Sequence, residues 1–152
     1  MAFETLQEIR RRGGPEPVHL FVSGCVAPQY TYNDGPPIAT PPLPALVRKL
    51  RELGGTPEWL LSDPTVLEMI LPAVRADLSV KESCKYRPEQ PLDVPVTVIA
   101  STRDPQAPRE LQDRWRDQTT AAFGLHTLAG GHFAVFEQAA STHRHLAAAL
   151  AG

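Results

Sequence analysis

Three short apolar runs along the chain are typical of β-strands in the interior of a sheet. PVHLFVSG (17–24) and VPVTVIAS (94–101) are rich in Val, Leu, Ile and Phe. Runs with so few polar positions are expected of strands that are covered on both faces. A third run, FGLHTL (123–128), is shorter and more mixed, and we interpret it as a further strand.

Apolar residues recur at helical spacing between and around these strands. Residues 2–12 place apolar side chains three and four positions apart, and two glycines follow them. PRELQDRWRDQT, after the second strand, and Phe133–Ala151, after the third, show the same periodicity. The order helix, strand, insertion, strand, helix, strand, helix predicts an α/β fold with a mostly parallel sheet flanked by helices.

The insertion, residues 36–85, is bracketed by two clusters of prolines, at 28–44 and 88–108, and is itself helical. LPALVRKLRELGG carries one apolar stripe and ends at a glycine pair, whereas SDPTVLEMILPAVRADL opens with an Asp cap and a Pro in the first turn. A crossover of ordinary length does not contain such a hairpin. We therefore expect one domain over residues 1–152, with 36–85 inserted as a helical lid at one end of the sheet.

Composition and charge exclude several classes of function. The 152 residues are 42% apolar and 21% charged, as in a globular protein, and the formal net charge of -2 indicates no nucleic-acid partner. No stretch approaches the roughly 18 apolar residues of a membrane span. Two distant cysteines suggest neither a disulfide framework nor a metal site, so we expect a cytoplasmic protein without metal, nucleotide or other cofactor.

Two ionisable residues follow predicted strands closely. Asp104 comes three residues after the strand at 94–101, in STRDPQA, and His132 follows the strand at 123–128, in AGGH. The carboxyl ends of parallel strands are where open α/β sheets gather their chemistry, and one helix and one strand fit between these two residues. An acid beside a histidine can hold the imidazole in one tautomer and stabilise its protonated form. We therefore take Asp104 and His132 as the candidate catalytic pair.

Each of these residues also has a simpler interpretation when taken alone. An Asp before Pro is most often a turn or capping residue, which is the alternative for Asp104. Gly-Gly-His before a helix is common loop chemistry, which is the alternative for His132. The placement of both residues after neighbouring strands is what favours a shared function.

A nucleophile to complete this pair is not apparent in the sequence. None of the serines (Ser23, Ser62, Ser79, Ser83, Ser101 and Ser141) stands in the G-x-S-x-G frame of a nucleophile elbow. Cys25 ends a predicted strand, but it leads into an extended Pro loop rather than a helix that would favour the thiolate. We interpret Cys25 as a small structural residue, with a Cys, His, Asp set as the alternative.

Several longer motifs point to one family. LFVSGCVAP, LRELGGTPEWLL, ILPAVRADL, PLDVPVTVIASTRDPQ and LAGGHF occur in this order along nearly the whole chain. Together they resemble the type II, or external, thioesterases of nonribosomal peptide and polyketide synthesis, within the α/β-hydrolase superfamily. The pairing of LGGTP with LPAVRAD is more specific than any motif common to all hydrolases of this superfamily.

The resemblance implies a fold, a substrate class and roles for two residues. It implies a mostly parallel sheet with a helical lid, which matches 36–85, and it assigns the catalytic acid to Asp104 and the base to His132. Members of this family hydrolyse acyl groups from the phosphopantetheine arm of acyl or peptidyl carrier proteins through an acyl-enzyme. The carrier protein is therefore the partner that the resemblance implies, with neither nucleic acid nor membrane.

The resemblance covers only the C-terminal portion of such a domain. Family members begin with strands that carry part of the oxyanion hole and the G-H-S-x-G elbow, and residues like AFE follow the elbow; here MAFETLQEI comes first. We therefore expect the nucleophile-elbow half to be missing and the chain to be inactive alone. Two alternatives remain: a non-catalytic module that binds a carrier protein or a partner chain, and an α/β-hydrolase that cleaves simple esters.

Overall fold

The computed structural model describes residues 2–30, 41–83 and 85–151. It divides into two compact units, of which the first combines Met1–Tyr30 with Arg87–Gly152 and the second comprises Thr31–Tyr86. None of the helices in the described ranges is both long enough and apolar enough to span a membrane. The first unit contains the sheet and the second is helical.

The sheet of the first unit has three parallel strands in the order of the sequence, β1 (Leu20–Ser23), β2 (Val96–Ser101) and β3 (Phe123–Leu128). Its register pairs Val22 with Val98 and Val98 with Leu125. The predicted parallel α/β arrangement is therefore confirmed. Because the strands are parallel, the loops after β2 and β3 leave the same edge of the sheet.

The burial of the strands follows their position in the sheet. All six residues of β2 are buried, as the continuous apolar run predicted. Strand β1 instead alternates buried and half-buried residues, so the prediction of burial on both faces is wrong for it. Strand β3, at the other end of the strand order, is also half-buried over most of its length, so complete burial is confined to the central strand β2.

Helix α1 (Ala2–Arg11) forms where the periodicity predicted it and buries Phe3, Leu6 and Gln7. Its first turn holds Glu4 and its last turn Arg10 and Arg11, which complements the helix dipole. The Phe3 ring meets Trp115 edge to face, with centroids 5.4 Å apart. This contact joins the N-terminal helix to the segment between β2 and β3.

Two predicted helices are interrupted. PRELQDRWRDQT forms α5 (Arg109–Asp113) and then tightens into a 3₁₀ helix at Arg114–Gln118, a common way to satisfy the last carbonyl groups of a helix. The C-terminal helix is split into α6 (Ala134–Glu137) and α7 (Ala139–Ala151) at Gln138. The Gln138 side chain donates to the Ala129 carbonyl, and its backbone leaves the helical region there.

The second unit consists of α2 (Leu43–Leu53), α3 (Glu58–Ser62) and α4 (Pro64–Ser83). The two predicted helices are present, and α3 between them was not predicted. Val47, Leu61 and Leu67 form the core of the unit, one from each helix. Residues 36–40 and 84 of the predicted lid lie outside the described ranges, and its role as a lid stays a prediction.

Asp63 explains where α4 begins. Its Oδ1 accepts hydrogen bonds from the backbone nitrogens of Thr65 at 2.9 Å and Val66 at 3.3 Å. A carboxylate here satisfies amide groups that have no partner within the helix. The predicted Asp cap is thus confirmed.

A pair of stacked histidines joins β3 to α7 and predicts a pH dependence of stability. The rings of His126 and His145 stack with centroids 4.0 Å apart. Burial, followed by the nearby His126 and Arg144, lowers the pKa of His145 below its ordinary 6.5. Below about pH 6.5, His145 of the unfolded chain therefore binds a proton, whereas His145 of the folded protein binds one only at a lower pH. The free energy of unfolding consequently falls as the pH falls.

We expect the thermal midpoint to drop between about pH 7.5 and pH 5.5, and His145→Phe to make this drop smaller because a stacked ring remains but does not titrate. The matched control is His143→Phe, since His143 is exposed on the same helix. The fall should persist partly in His145→Phe, because burial also lowers the pKa of His19. An identical fall in His145→Phe and the unsubstituted protein would contradict this expectation.

Candidate functional site

Asp104 lies in the loop that leaves the carboxyl end of β2. Its side chain is completely buried, and its Oδ1 accepts a hydrogen bond from the backbone nitrogen of Gln106 at 2.9 Å. The same loop is held from α5, where the buried Gln112 side chain donates to the Ala107 carbonyl at 2.6 Å. The carboxylate is therefore held in one orientation by the turn that follows it.

His132 lies in the loop after β3 and points its imidazole at this carboxylate. Nδ1 of His132 is 2.8 Å from Oδ2 of Asp104. A carboxylate accepts at this distance, so Nδ1 carries the proton, which in the neutral imidazole leaves the lone pair on Nε2. The His132 side chain is 21% exposed, in contrast to its buried partner. The structure thus brings together the two residues that the sequence singled out.

The two loops are joined by three further hydrogen bonds. The backbone nitrogen of Thr102 donates to the Leu128 carbonyl at 2.9 Å, and that of Arg103 donates to the Gly130 carbonyl at 2.9 Å. Gly130 in turn donates its backbone N–H to Oγ1 of Thr102 at 3.1 Å. These bonds continue the pairing of β2 and β3 past the strand ends and set the distance between the loops.

The first glycine of AGGH is required by both conformation and space. Gly130 has φ of +140°, and a Cβ there would lie 2.9 Å from the Cβ of Ala134. Ala134 is fully buried at the start of α6. The loop can therefore turn from β3 into α6 only with a residue that lacks a side chain at this position. His132 stands between this turn and the helix.

Three of the residues considered as nucleophiles lie at or just after the ends of β1 and β2. Oγ of Ser23 donates to the Ile99 carbonyl at 2.8 Å, and Ser101 is buried at the end of β2. Cys25 lies half-buried in the loop after β1, and its carbonyl accepts from Nε1 of Trp115 at 3.2 Å. Among the described residues, no group of three or more His, Cys, Asp or Glu side chains could hold a metal ion.

Thr102 and Gln138 support the site, and the sequence did not single them out. Thr102 receives the Gly130 N–H, and Gln138 holds the Ala129 carbonyl. Both contacts link residues far enough apart in the chain that no spacing rule indicates them. A Thr beside an Asp on a strand-end loop is too common a pattern to have identified the first contact.

Removal of the Thr102 hydroxyl tests the link between the loops. Thr102→Val keeps the shape of the side chain but leaves the Gly130 N–H without its acceptor, and we expect a loss of about 1 kcal/mol in free energy of unfolding. The control is Thr127→Val on β3, which is exposed like Thr102 but lies outside the contact between the two loops, so that the change should stay within about 0.5 kcal/mol. Equal losses in a urea titration would mean that the Thr102 hydroxyl contributes nothing specific.

Comparison with known proteins identifies the family. The family model described as "Thioesterase domain" matches residues 1–150. The gramicidin S biosynthesis protein GrsT of Aneurinibacillus migulanus is 34% identical over 142 residues, which are 90% of this chain and 53% of that protein. The thioesterase PikA5 of Streptomyces venezuelae is 36% identical over 145 residues, which are 91% of this chain and 48% of that protein.

Solved structures agree in fold. The RedJ thioesterase of the prodiginine pathway in Streptomyces coelicolor superposes with a TM-score of 0.80 at 39% identity, over 87% of this chain and 51% of that one. The type II thioesterase BorB of the borrelidin cluster superposes with a TM-score of 0.84 at 31% identity, over 98% and 60%. This chain spans about half the length of the relatives that it matches.

These relatives confirm the resemblance to type II thioesterases that the motifs indicated. The three-stranded parallel sheet with flanking helices is the corresponding part of the α/β-hydrolase fold. With a family match over residues 1–150, the chain belongs to the thioesterase family.

Proposed function

We propose that this chain supplies the acid and the base of a thioesterase that releases acyl groups from carrier proteins. The observation that carries the proposal is the hydrogen bond between Asp104 and His132 at the carboxyl edge of a parallel sheet in a thioesterase-family chain. The buried carboxylate fixes the tautomer that leaves Nε2 free to accept a proton. This arrangement is suited to activating a hydroxyl group.

The reaction has two halves, and His132 acts in both. Nε2 takes the proton of a serine hydroxyl as that oxygen attacks the thioester carbonyl, and it returns the proton to the departing thiolate. The acyl-enzyme is then hydrolysed by a water that His132 deprotonates, and the serine regains its proton. Asp104 stabilises the imidazolium at each stage.

The nucleophile and the substrate come from outside the described site. No serine of the sequence stands in a G-x-S-x-G frame, so the proposal assigns the serine to a segment outside these 152 residues. The substrate class, an acyl group on a phosphopantetheine arm, is supported by relatives from gramicidin S and borrelidin biosynthesis. A cytoplasmic site of action is part of the same proposal.

The test compares the chain alone with a fusion protein. In the fusion protein, the part of the RedJ thioesterase that this chain does not match precedes Ala2. We expect the chain alone to cleave an acyl thioester no faster than its His132→Ala variant, and the fusion protein to cleave it at a rate that His132→Ala removes. Clear cleavage by the chain alone that depends on His132 would refute the external serine. A folded fusion protein that is indifferent to His132→Ala would refute the role of the base.

A binding module without catalysis is the second candidate. It is favoured by β1, which stands at the end of the strand order and pairs on one side with β2 among the described strands. An unpaired strand edge is able to accept a further strand. Retention of the chain by immobilised acyl carrier protein, with equal retention of His132→Ala, would support this role, and absence of retention would count against it.

A further inference from the structure

The loop after β1 lies next to the imidazole of His132, on the side of the Cε1 atom. A Cβ placed on Gly24 would lie 3.1 Å from Cε1, 3.5 Å from Nδ1 and 3.6 Å from Nε2. The first of these distances is shorter than ordinary van der Waals contact. Gly24 therefore leaves open the space beside the ring that the side chain of any other residue would fill, and a Cβ there would require the neighbouring ring to shift by a few tenths of an ångström.

Neighbouring groups limit the ring on its other sides. Nδ1 is held by Asp104 at 2.8 Å, and the Phe133 ring stands perpendicular to the imidazole with centroids 5.1 Å apart. The ring is thus positioned by a hydrogen bond to Asp104 and by the edge contact with Phe133, and it lies beside the space that a side chain on Gly24 would fill. Gly24 and His132 are more than 100 positions apart in the sequence.

The loop that carries Gly24 is anchored at three points. Ser23 donates its hydroxyl to the Ile99 carbonyl at 2.8 Å, the Cys25 carbonyl accepts from Nε1 of Trp115 at 3.2 Å, and the Ala27 N–H donates to the Leu111 carbonyl at 3.1 Å. Ala27 is also fully buried. This loop cannot move aside without loss of those bonds, so a side chain at position 24 would displace the imidazole, which is 21% exposed, rather than the loop.

We infer that Gly24 is a positioning residue for His132: its lack of a side chain lets the imidazole sit where Nδ1 reaches Asp104 and Nε2 is presented to the substrate. That this orientation of His132 serves catalysis rests on the proposed function. The geometry itself can be measured without any thioester.

Gly13 offers a matched control. Gly24 has φ of +64° and Gly13 has φ of +65°, so a side chain at either position meets the backbone strain of a positive φ. A Cβ on Gly13, however, would meet nothing within 4 Å. A difference between substitutions at the two sites therefore reports the contact with His132 rather than the strain.

The experiment follows the tautomer of His132 by ¹⁵N NMR of histidine-labelled protein, with the signals assigned from a His132→Gln variant. We expect the unsubstituted chain to hold the Nδ1–H form, Gly24→Ala to lose a large part of it, and Gly13→Ala to keep it. Asn tolerates this backbone conformation better than Ala, so Gly24→Asn and Gly13→Asn repeat the comparison with less strain.

The possible results separate clearly. An unchanged tautomer in folded Gly24→Ala, or an equal change in Gly13→Ala, would overturn the positioning role. Loss of the fold in both Gly24 variants while both Gly13 variants fold would assign Gly24 to folding and would also overturn the positioning role.

In the fusion protein we expect Gly24→Ala to lower kcat about tenfold or more with little change in KM. A fusion protein without activity would count against the proposed function and leave the NMR result standing.

Discussion

Asp104→Asn is expected to lower thioester cleavage by the fusion protein about 10⁴-fold. The substitution keeps the size of the side chain, and the amide oxygen can still accept the Gln106 N–H. The amide nitrogen, however, donates toward Nδ1 of His132, which stabilises the tautomer with its proton on Nε2. That tautomer has no lone pair on Nε2 to take the proton of a nucleophile.

Steady-state kinetics of the fusion protein measure this effect, and Asp93→Asn is its matched control. Asp93 is an exposed residue of the same unit, in the segment before β2, so its variant should keep the unsubstituted rate. We expect Asp104→Asn to lower kcat and to leave KM nearly unchanged, since the carboxylate acts through the imidazole. A decrease of less than tenfold would show that Asp104 is not the partner on which the base depends.

Trp115→Ala is expected to produce the largest loss of stability, about 3–5 kcal/mol. The side chain is 4% exposed, meets Phe3 of α1 edge to face, and donates its indole N–H to the Cys25 carbonyl. Its removal leaves a cavity between α1 and the 3₁₀ helix and also takes one hydrogen-bond donor from the Cys25 carbonyl in the loop of Gly24. Since whole domains are stable by about 5–15 kcal/mol, a large share would be lost.

Denaturant unfolding measures this loss, and the second tryptophan of the chain supplies the control. Trp59 is 67% exposed, so Trp59→Ala should change the free energy of unfolding by no more than about 0.5 kcal/mol. Trp115→Phe retains an aromatic ring against Phe3 but removes the N–H, and it should cost about 1 kcal/mol or more. Similar losses in Trp115→Ala and Trp59→Ala would contradict the structural role of Trp115.

The order of elements could be predicted from local patterns because each pattern reports a local preference. Apolar runs such as 94–101 indicate strands, and the spacing in residues 2–12 indicates a helix. The same reasoning failed at Gln138 and at Arg114. There, a side-chain bond to the Ala129 carbonyl and a tightened final turn interrupt helices whose sequence periodicity continues.

The pair at the site could be predicted because strand order alone brings its members together. Asp104 and His132 follow adjacent parallel strands, so their loops leave one edge of the sheet whatever the details of packing. Their roles in catalysis stay a prediction. The hydrogen bond from the Gly130 N–H to the Thr102 hydroxyl could not be predicted from the sequence, since it depends on how the two loops lie relative to each other.

The sequence by itself therefore determined the fold class, the family resemblance and the choice of Asp104 and His132 as the candidate pair, because these depend on periodicity, motif order and strand succession. Only the tertiary structure decided how the imidazole of His132 is located. Gly24, Phe133 and Asp104 meet around it through packing between loops that follow different strands. Distances of this kind are set by the whole sheet, and no local pattern of residues encodes them.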